Sequence, residues 1–473
     1  MLIGRIKEQQ ELLDAYRATE SKFVVVYGRR RVGKTYLVRQ TFKNQFTFAH
    51  SGQANARLNE QLFGWCASLK DAGMTVDKMP KSWLEAFELL KELIRVSKAP
   101  KKVVFIDELP WLDTPKSGFV NALEFFWNGW ASGRDDVLLI VCGSATSWIV
   151  NKVFKNHGGL HNRITNQIYL KPFTLNECEQ YMHNMNLSFT RSDILECYMV
   201  MGGIPYYWSL LEPGDSLAQN IDKLFFAEKG KLRYEFNELY HSLFRNPDNY
   251  IAIVMALGKN SAGLTRGELI NATKIENGGN LSKQLEDLEH CGFIKYSVSP
   301  KNKINGGIYR LVDQFTMFYL KYMKENSVND ESFWTHNYNS SVRLSWVGIA
   351  FERVCFQHIR QIKEALQIGG VLSTVYSLNI KDESGKRSGA QIDMVIDRKD
   401  NTINLCEMKF SYKTFTIDKD YYANLMNKLD CIQEYSNHKK TIILTMITTY
   451  GIEHNGYWNI VQKEVTMDDL FKE

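Results

Sequence analysis

Residues 28–35 read Gly-Arg-Arg-Arg-Val-Gly-Lys-Thr, a spacing suited to wrapping a triphosphate. Such a loop turns backbone N–H groups inward against phosphate oxygens, so glycine is wanted at both ends, here Gly28 and Gly33. Lys34 is placed to reach the β- and γ-phosphates and the Thr35 hydroxyl to ligate Mg²⁺. Arg29, Arg30, Arg31, Val32 and Tyr36 complete the expected contact segment. An apolar run (Phe23 to Tyr27) precedes the loop and a helix-like run (Tyr36 to Phe42) follows it, the context the motif needs. The alternative is an arginine-rich surface turn. The first expectation is therefore a nucleoside triphosphate site, with ATP as ligand.

Two further apolar runs can serve that site. The run VVFIDE (103–108) is a buried-strand pattern ending in two acids. Asp107 would lie at the edge of a parallel sheet, where it can act as an outer ligand to Mg²⁺, and Glu108 can polarise an attacking water. VLLIVCGS (137–144) ends in Ser144, a candidate γ-phosphate sensor or an ordinary strand-end turn. Arg163 precedes another strand-like run. It is a candidate to offset charge on the γ-phosphate, the alternative being a solvated surface arginine.

The elements that must hold these residues are legible at coarse grain. Strands are expected at 23–27, about 47–51, 103–107, 137–142 and 166–170, alternating with helices as in a doubly wound α/β sheet. From 250 to 312 the pattern changes. Thr265 and Glu268 form a capping box, and Leu281, Leu285 and Leu288 share a helical face. Two short strands follow (Phe293 to Ser297 and Ile308 to Leu311), flanking a basic loop, so the whole reads as a winged helix. Used on DNA, it would turn Asn280, Ser282, Lys283 and Gln284 to the major groove and Lys301 and Lys303 to phosphates. Glu286, Asp287 and Glu289 on the same helix would oppose that contact, and the alternative use is a packing lever.

A second chemical signal is QIDMVIDRKDNTINLCEMKF (391–410). Two strand-like runs flank a charged turn, and a hairpin symmetric about Asp400 sets Asp393 opposite Glu407. Cross-strand Cβ atoms lie about 5 Å apart, close enough for two carboxylates to share one divalent cation. Alternation puts Leu405, Glu407 and Lys409 on one face, and Cys406 and Met408 on the other. The lysine can then position a water for attack on phosphorus. The alternative is a surface hairpin with a salt bridge to Lys409.

Ile3-Gly4-Arg5, GRRRVGKT, the IDE of 106–108, CGS at 142–144, Arg163 and Gly-Gly-Ile-Pro at 202–205 together resemble archaeal-type ATPases of the AAA-related signal-transduction (STAND) clade, over roughly residues 1–230. The resemblance implies that Gly4 and Arg5 lie near the adenine, that the Gly-Gly-Ile-Pro turn couples nucleotide state to its helices, and that the chain is a nucleotide-gated switch. Asp-x(13)-Glu-x-Lys similarly resembles the active site of the PD-(D/E)xK restriction-endonuclease-like superfamily over roughly 335–450, with Ile392 where the nominal motif has proline. That resemblance implies a helical carboxylate at Glu352, on a helix expected from Trp346 to about Leu366.

The expected organisation is an α/β P-loop NTPase parallel-sheet core (1–175), a helical lid-like segment (176–245), a winged-helix module (246–325) and a restriction-endonuclease-like α/β domain (335–473). The expected function is an ATP switch controlling a metal-dependent nuclease-like domain that acts on DNA. The alternatives are an ATP-gated regulator or nucleic-acid- or protein-binding protein with a vestigial nuclease site, and a plain ATPase whose last domain only recognises nucleic acid or a partner. Composition permits all three: the net charge of +5 is mild, and 44% hydrophobic residues supply several cores. Eight cysteines without a C-x-x-C pair argue against a disulfide framework or a zinc site and suit a reducing cytoplasm. No apolar run approaches a membrane span. Expected partners are ATP or ADP and DNA, with a homo-oligomer left open and no membrane.

Overall fold

The computed structural model describes residues 2–144, 146–154, 159–160, 162–244, 246–298, 307–324, 330–338, 340–380 and 389–473. Its first layer is a five-stranded, wholly parallel sheet: β1 (Lys22–Tyr27), β2 (Phe48–Ser51), β3 (Lys102–Asp107), β4 (Val137–Gly143) and β5 (Asn166–Tyr169), in the order β2-β3-β4-β1-β5. Alternate residues of these strands enter two different cores. Val24, Val26, Phe105 and Ile140 face one, and Phe23, Val25, Val104, Ile106 and Leu139 the other. Burial on both faces is why the strands read as continuous apolar runs rather than alternating ones.

The carboxyl edge of this sheet gathers the loops that follow β1, β3 and β4. Gly28 sits there at φ +144°, and a Cβ on it would stand 2.4 Å from the Leu170 carbonyl oxygen, so only glycine fits. Gly203 is confined in the same way. A Cβ would lie 1.9 Å from the Phe173 carbonyl oxygen, where the Gly-Gly-Ile-Pro turn packs against the chain leaving β5.

Helices Leu175–Asn184 and Arg191–Met201, both opened by threonine capping boxes, carry the chain away from the sheet. Helix Asp248–Gly258, β6 (Leu264–Thr265), helix Arg266–Thr273 with its Thr265/Glu268 capping box, helix Gly279–His290, β7 (Ile294–Ser297) and β8 (Ile308–Leu311) then form a compact unit. Its small antiparallel sheet has the order β6-β8-β7. Leu281, Leu285 and Leu288 are buried, and Ser282 and Lys283 are exposed. Asp287 is buried and accepts a bond from the Tyr250 hydroxyl at 2.8 Å, so this acid does not face outward with the polar residues as the sequence reading had it. Lys301 and Lys303 lie outside the described residues.

The last layer is a mixed sheet, β13-β12-β11-β10-β9, built from β9 (Ser373–Ile380), β10 (Ala390–Arg398), β11 (Thr402–Lys409), β12 (Thr441–Thr448) and β13 (Lys463–Thr466). Strand β10 is antiparallel to both neighbours, whereas β11, β12 and β13 run parallel. Helix Ser341–Gln357 covers one face and helix Lys419–Tyr435 the other. The single helix expected from Trp346 to Leu366 is two, Ser341–Gln357 and Ile359–Ala365, broken at His358. The break has a local cause. The His358 ring contacts the Val354 carbonyl through Nδ1 and accepts the Leu175 N–H at Nε2, 3.0 Å away.

One hydrophobic core runs from Leu12 through the connecting helices and the 248–311 unit to Met394, Cys406 and Phe471. The buried Glu196–Arg343 ion pair crosses the seam between helices Arg191–Met201 and Ser341–Gln357. Arg343 is also held by the Tyr412 hydroxyl at 2.9 Å and the Tyr338 carbonyl at 2.5 Å. All eight cysteines are free and buried. Among the described residues no helix is long and apolar enough to cross a membrane.

Candidate functional site

The phosphate loop bridges β1 and helix Lys34–Phe42. Lys34 is 6% exposed, and its ammonium donates to the carbonyls of Gly28 and Arg29, each at 2.9 Å. Burial pulls its pKa down, with Glu108 and Asp107 opposing. The Thr35 hydroxyl donates to Asp107 Oδ2 at 2.6 Å, so the two expected Mg²⁺ ligands already converge. Hydroxyl and carboxylate oxygens at the mouth of a phosphate loop are a donor set suited to a hard divalent ion.

Asp107 Oδ1 accepts the Glu108 N–H at 2.9 Å, and Glu108 adopts a left-handed conformation (φ 48°), uncommon for a residue with a side chain. Its carboxylate accepts the Ser144 hydroxyl at 3.0 Å. The ends of β3 and β4 therefore meet beside the loop. Arg5 lies at the same sheet end. Its guanidinium donates to the Lys171 carbonyl at 2.6 Å, stands 4.8 Å over the Phe173 ring and lies 3.7 Å from Glu177. A Cβ on Gly4 would meet the same Glu177 carboxylate at 2.4 Å.

The three loop arginines behave differently. Arg29 pairs with Asp313, and Arg31, at φ 71°, pairs with Glu235 and lies 4.4 Å from the Tyr206 ring. Arg30 and Arg31 are half-buried, Val32 is buried and Tyr36 is exposed. Asp313 and Glu235 were not singled out in the sequence, because no local spacing links them to the loop.

Arg163 is not brought to this cluster. It is exposed on the turn entering β5, and Thr165 beside it bonds to Phe23 at the start of β1. Because β5 runs parallel to β1, that turn lies at the amino end of the sheet, opposite the phosphate loop.

In the last layer, the register pairs Met394 with Cys406 and Val395 with Leu405, which carries Asp393 to the level of Glu407. A one-residue bulge against β9, between Ile392 and Val395, aims Asp393 inward. Its carboxyl accepts the Met408 N–H at 3.0 Å and shares a hydrogen bond with Glu407. Burial and the adjoining Glu407 push the Asp393 carboxyl well up, and because a hydrogen bond between two carboxyls needs a proton, the pair holds one between them.

Glu407 is fully buried and is kept ionised by Lys428 and Lys409, against its own burial. Lys428 donates to both of its oxygens, at 2.6 and 2.9 Å, and Lys409 stands 3.3 Å away and 5.3 Å from the Tyr421 ring. Glu352 lies within electrostatic reach of Lys409, Glu407 and Lys428, and burial raises its pKa. Glu352, Asp393, Glu407 and Lys409 thus form one cluster, to which the structure adds Lys428. Carboxylates of this kind suit a hard cation in type, but Lys428 and the shared proton occupy the oxygens it would use. Among the described residues no group of three or more His, Cys, Asp or Glu side chains is placed to hold a metal ion.

Residues 2–211 match the model of a family described as an ATPase domain predominantly from Archaea. An uncharacterized protein of Methanocaldococcus jannaschii is 23% identical over 367 residues, 77% of this chain and 78% of its own. Among solved structures, the Walker-type ATPase of Pyrococcus abyssi aligns with a TM-score of 0.48 and 17% identity, over 68% of this chain and 96% of that one. The ORC2 protein of Aeropyrum pernix, solved with ADPNP and ADP, aligns with a TM-score of 0.40 and 15% identity, over 67% of this chain and 93% of that one. The loop on Gly28 and Lys34, the acids closing β3 and the family match over residues 2–211 make the amino-terminal part of this chain a P-loop ATPase domain.

Proposed function

We propose that the chain is an ATP-binding switch whose nucleotide state controls a metal-dependent, restriction-endonuclease-like domain acting on DNA. The carrying observation is the cluster of Glu352, Asp393, Glu407 and Lys409, four residues of the expected types on three elements of one sheet-and-helix layer. A buried group of acids and lysines costs too much to be retained as filler unless its charges are used or fully paired. Were Lys428 to withdraw from Glu407 and the shared proton to leave, Asp393 and Glu407 would hold a divalent cation that supplies an activated water, with Lys409 steadying charge on the phosphorus.

In the ATPase domain, Lys34, Thr35 and Asp107 hold Mg²⁺-ATP, Glu108 orients the attacking water and Ser144 reads the γ-phosphate through Glu108. The 248–311 unit acts as a winged helix, and its exposed Ser282 and Lys283 offer polar contacts to a nucleic acid. The Glu196–Arg343 pair and the His358–Leu175 bond supply a rigid route from helices 175–201 to the helix bearing Glu352.

Cleavage of supercoiled DNA by the full chain, with and without ATP and Mn²⁺, tests this reading. Metal-dependent nicking that changes with ATP is the expected result, and its absence under every condition refutes the nuclease. A second reading, an ATP-gated regulator with a vestigial site, is favoured by Lys428, which holds both Glu407 oxygens. Under that reading the protein binds DNA or protein partners in a nucleotide-dependent way and cleaves nothing.

A further inference from the structure

Asp313 stands far along the chain from the phosphate loop, yet it pairs with one of the loop's arginines. Asp313 is 4% exposed, and its two oxygens point in different directions. Oδ1 pairs with Arg29 of the loop. Oδ2 caps the helix Gln314–Phe318, accepting the Thr316 N–H at 2.9 Å and the Thr316 hydroxyl at 2.5 Å. Arg29 is 5% exposed and lies 4.8 Å over the ring of Phe293, at the start of the 248–311 unit's hairpin. Its Nε and Nη2 find no hydrogen-bond partner among the described residues, so Asp313 is the anion that balances this cation.

The position of Arg29 matters for chemistry because its own carbonyl, with that of Gly28, receives the Lys34 ammonium. Displacing the Arg29 side chain displaces the backbone that presents Lys34 to a phosphate. On the other side, Gln314 donates to the Ala350 carbonyl at 3.3 Å, on the helix that carries Glu352. We propose that Asp313 is a positioning residue for nucleotide binding, acting through Arg29, and that it ties occupancy of the phosphate loop to the seating of the 248–311 unit. This rests on the ATPase domain alone and holds whether or not the last layer cleaves DNA.

The test is titration of the full chain with a fluorescent ADP analogue and with Mg-ATP. Asp313→Asn keeps an oxygen to cap the helix and replaces the charged acceptor facing Arg29 with an amide N–H donor. It should weaken both nucleotides by about tenfold or more. Arg29→Gln should do the same, and the double variant should be no worse than either single one, as for two residues acting through one contact. Thr316→Val, which removes the hydroxyl's bond to Oδ2 and leaves both the backbone cap and the Arg29 contact, should leave both affinities within about twofold. Affinities within twofold of the parent in Asp313→Asn would overturn the proposal, and so would losses that simply add in the double variant. If Asp313→Asn does not fold, Arg29→Gln decides alone: unchanged affinity there refutes the role of the pair.

Discussion

Acid should loosen the seam at His358. This ring is 1% exposed, and its Nε2 accepts the N–H of Leu175 while Nδ1 faces the Val354 carbonyl. Only the neutral tautomer with the proton on Nδ1 satisfies both contacts, since an imidazolium has nothing with which to accept the Leu175 N–H. Burial accordingly depresses the folded pKa to about 4, from an ordinary 6.5. The sign follows from proton counting: between these values the unfolded chain binds the extra proton, so stability is fully present above pH 6.5 and is lost as pH falls toward 4. At about 1.4 kcal/mol per pH unit the full loss is roughly 3 kcal/mol, of which about 2 kcal/mol is gone by pH 5.

The assay is urea unfolding of the parent and of His358→Gln at pH 7.5, 6.5, 5.5 and 5.0. The variant should be weaker at neutral pH, because a shorter amide meets the Leu175 N–H imperfectly. It should also lack about 2 kcal/mol of the parent's decline toward pH 5. His50, likewise buried and depressed to about 4, contributes equally to both proteins and cancels from the difference. Parallel pH curves for the two proteins would refute the neutral, bond-accepting role assigned to His358.

Four further outcomes are expected. Lys34→Ala should abolish stabilisation by Mg-ATP in a thermal-shift titration, since a ligand held only by the folded state raises stability through mass action. Glu108→Gln should retain ATP in a binding assay while slowing hydrolysis by about a hundredfold or more; loss of binding without a change in turnover number would make the acid structural. Asp393→Ala should lose Mn²⁺ binding by calorimetry, whereas Lys409→Ala should keep the metal and lose nicking; a parent that binds no metal hands the argument to the regulator reading. Above pH 6.5, where the buried histidines no longer titrate, the parent should lose stability as pH rises, because folded Asp393 keeps a proton that the unfolded chain has already released. Asp393→Asn should flatten that slope in the same urea assay.

The parallel sheet was legible because doubly buried strands leave unbroken apolar runs, as at 103–107 and 137–142. The Asp393–Glu407 level was legible because hairpin register follows from the turn and strict alternation. The bulge at Asp393 was not, since Ile392 and Val395 share a core three residues apart, and alternation alone cannot yield that. Lys428 was missed for a different reason. It lies on a helix 21 residues beyond Glu407, and the one available signal was its seven-residue spacing from Tyr421 on a shared helical face. Asp313 announced itself only as a helix cap, Asp-x-x-Thr, which says nothing of Arg29 284 residues away. The placing of Arg163 was available and overlooked: a residue that enters a parallel strand sits at the end where its neighbours also begin.

The shared interior has a consequence for anyone who would take the molecule apart. Phe471 near the carboxyl end, Met394 and Cys406 in the last sheet, and Leu12 near the start all belong to one apolar body. Cutting the chain at 330 would strip the cover from Trp334, Trp346 and their aromatic neighbours, and would leave Glu196 as a buried anion without its Arg343. Either fragment would offer the solvent a large oily scar and a stranded charge, and would be expected to clump rather than fold. The carboxyl-terminal layer cannot be lent to another protein by simple fusion, because it is joined to the ATPase domain by solid packing instead of a tether.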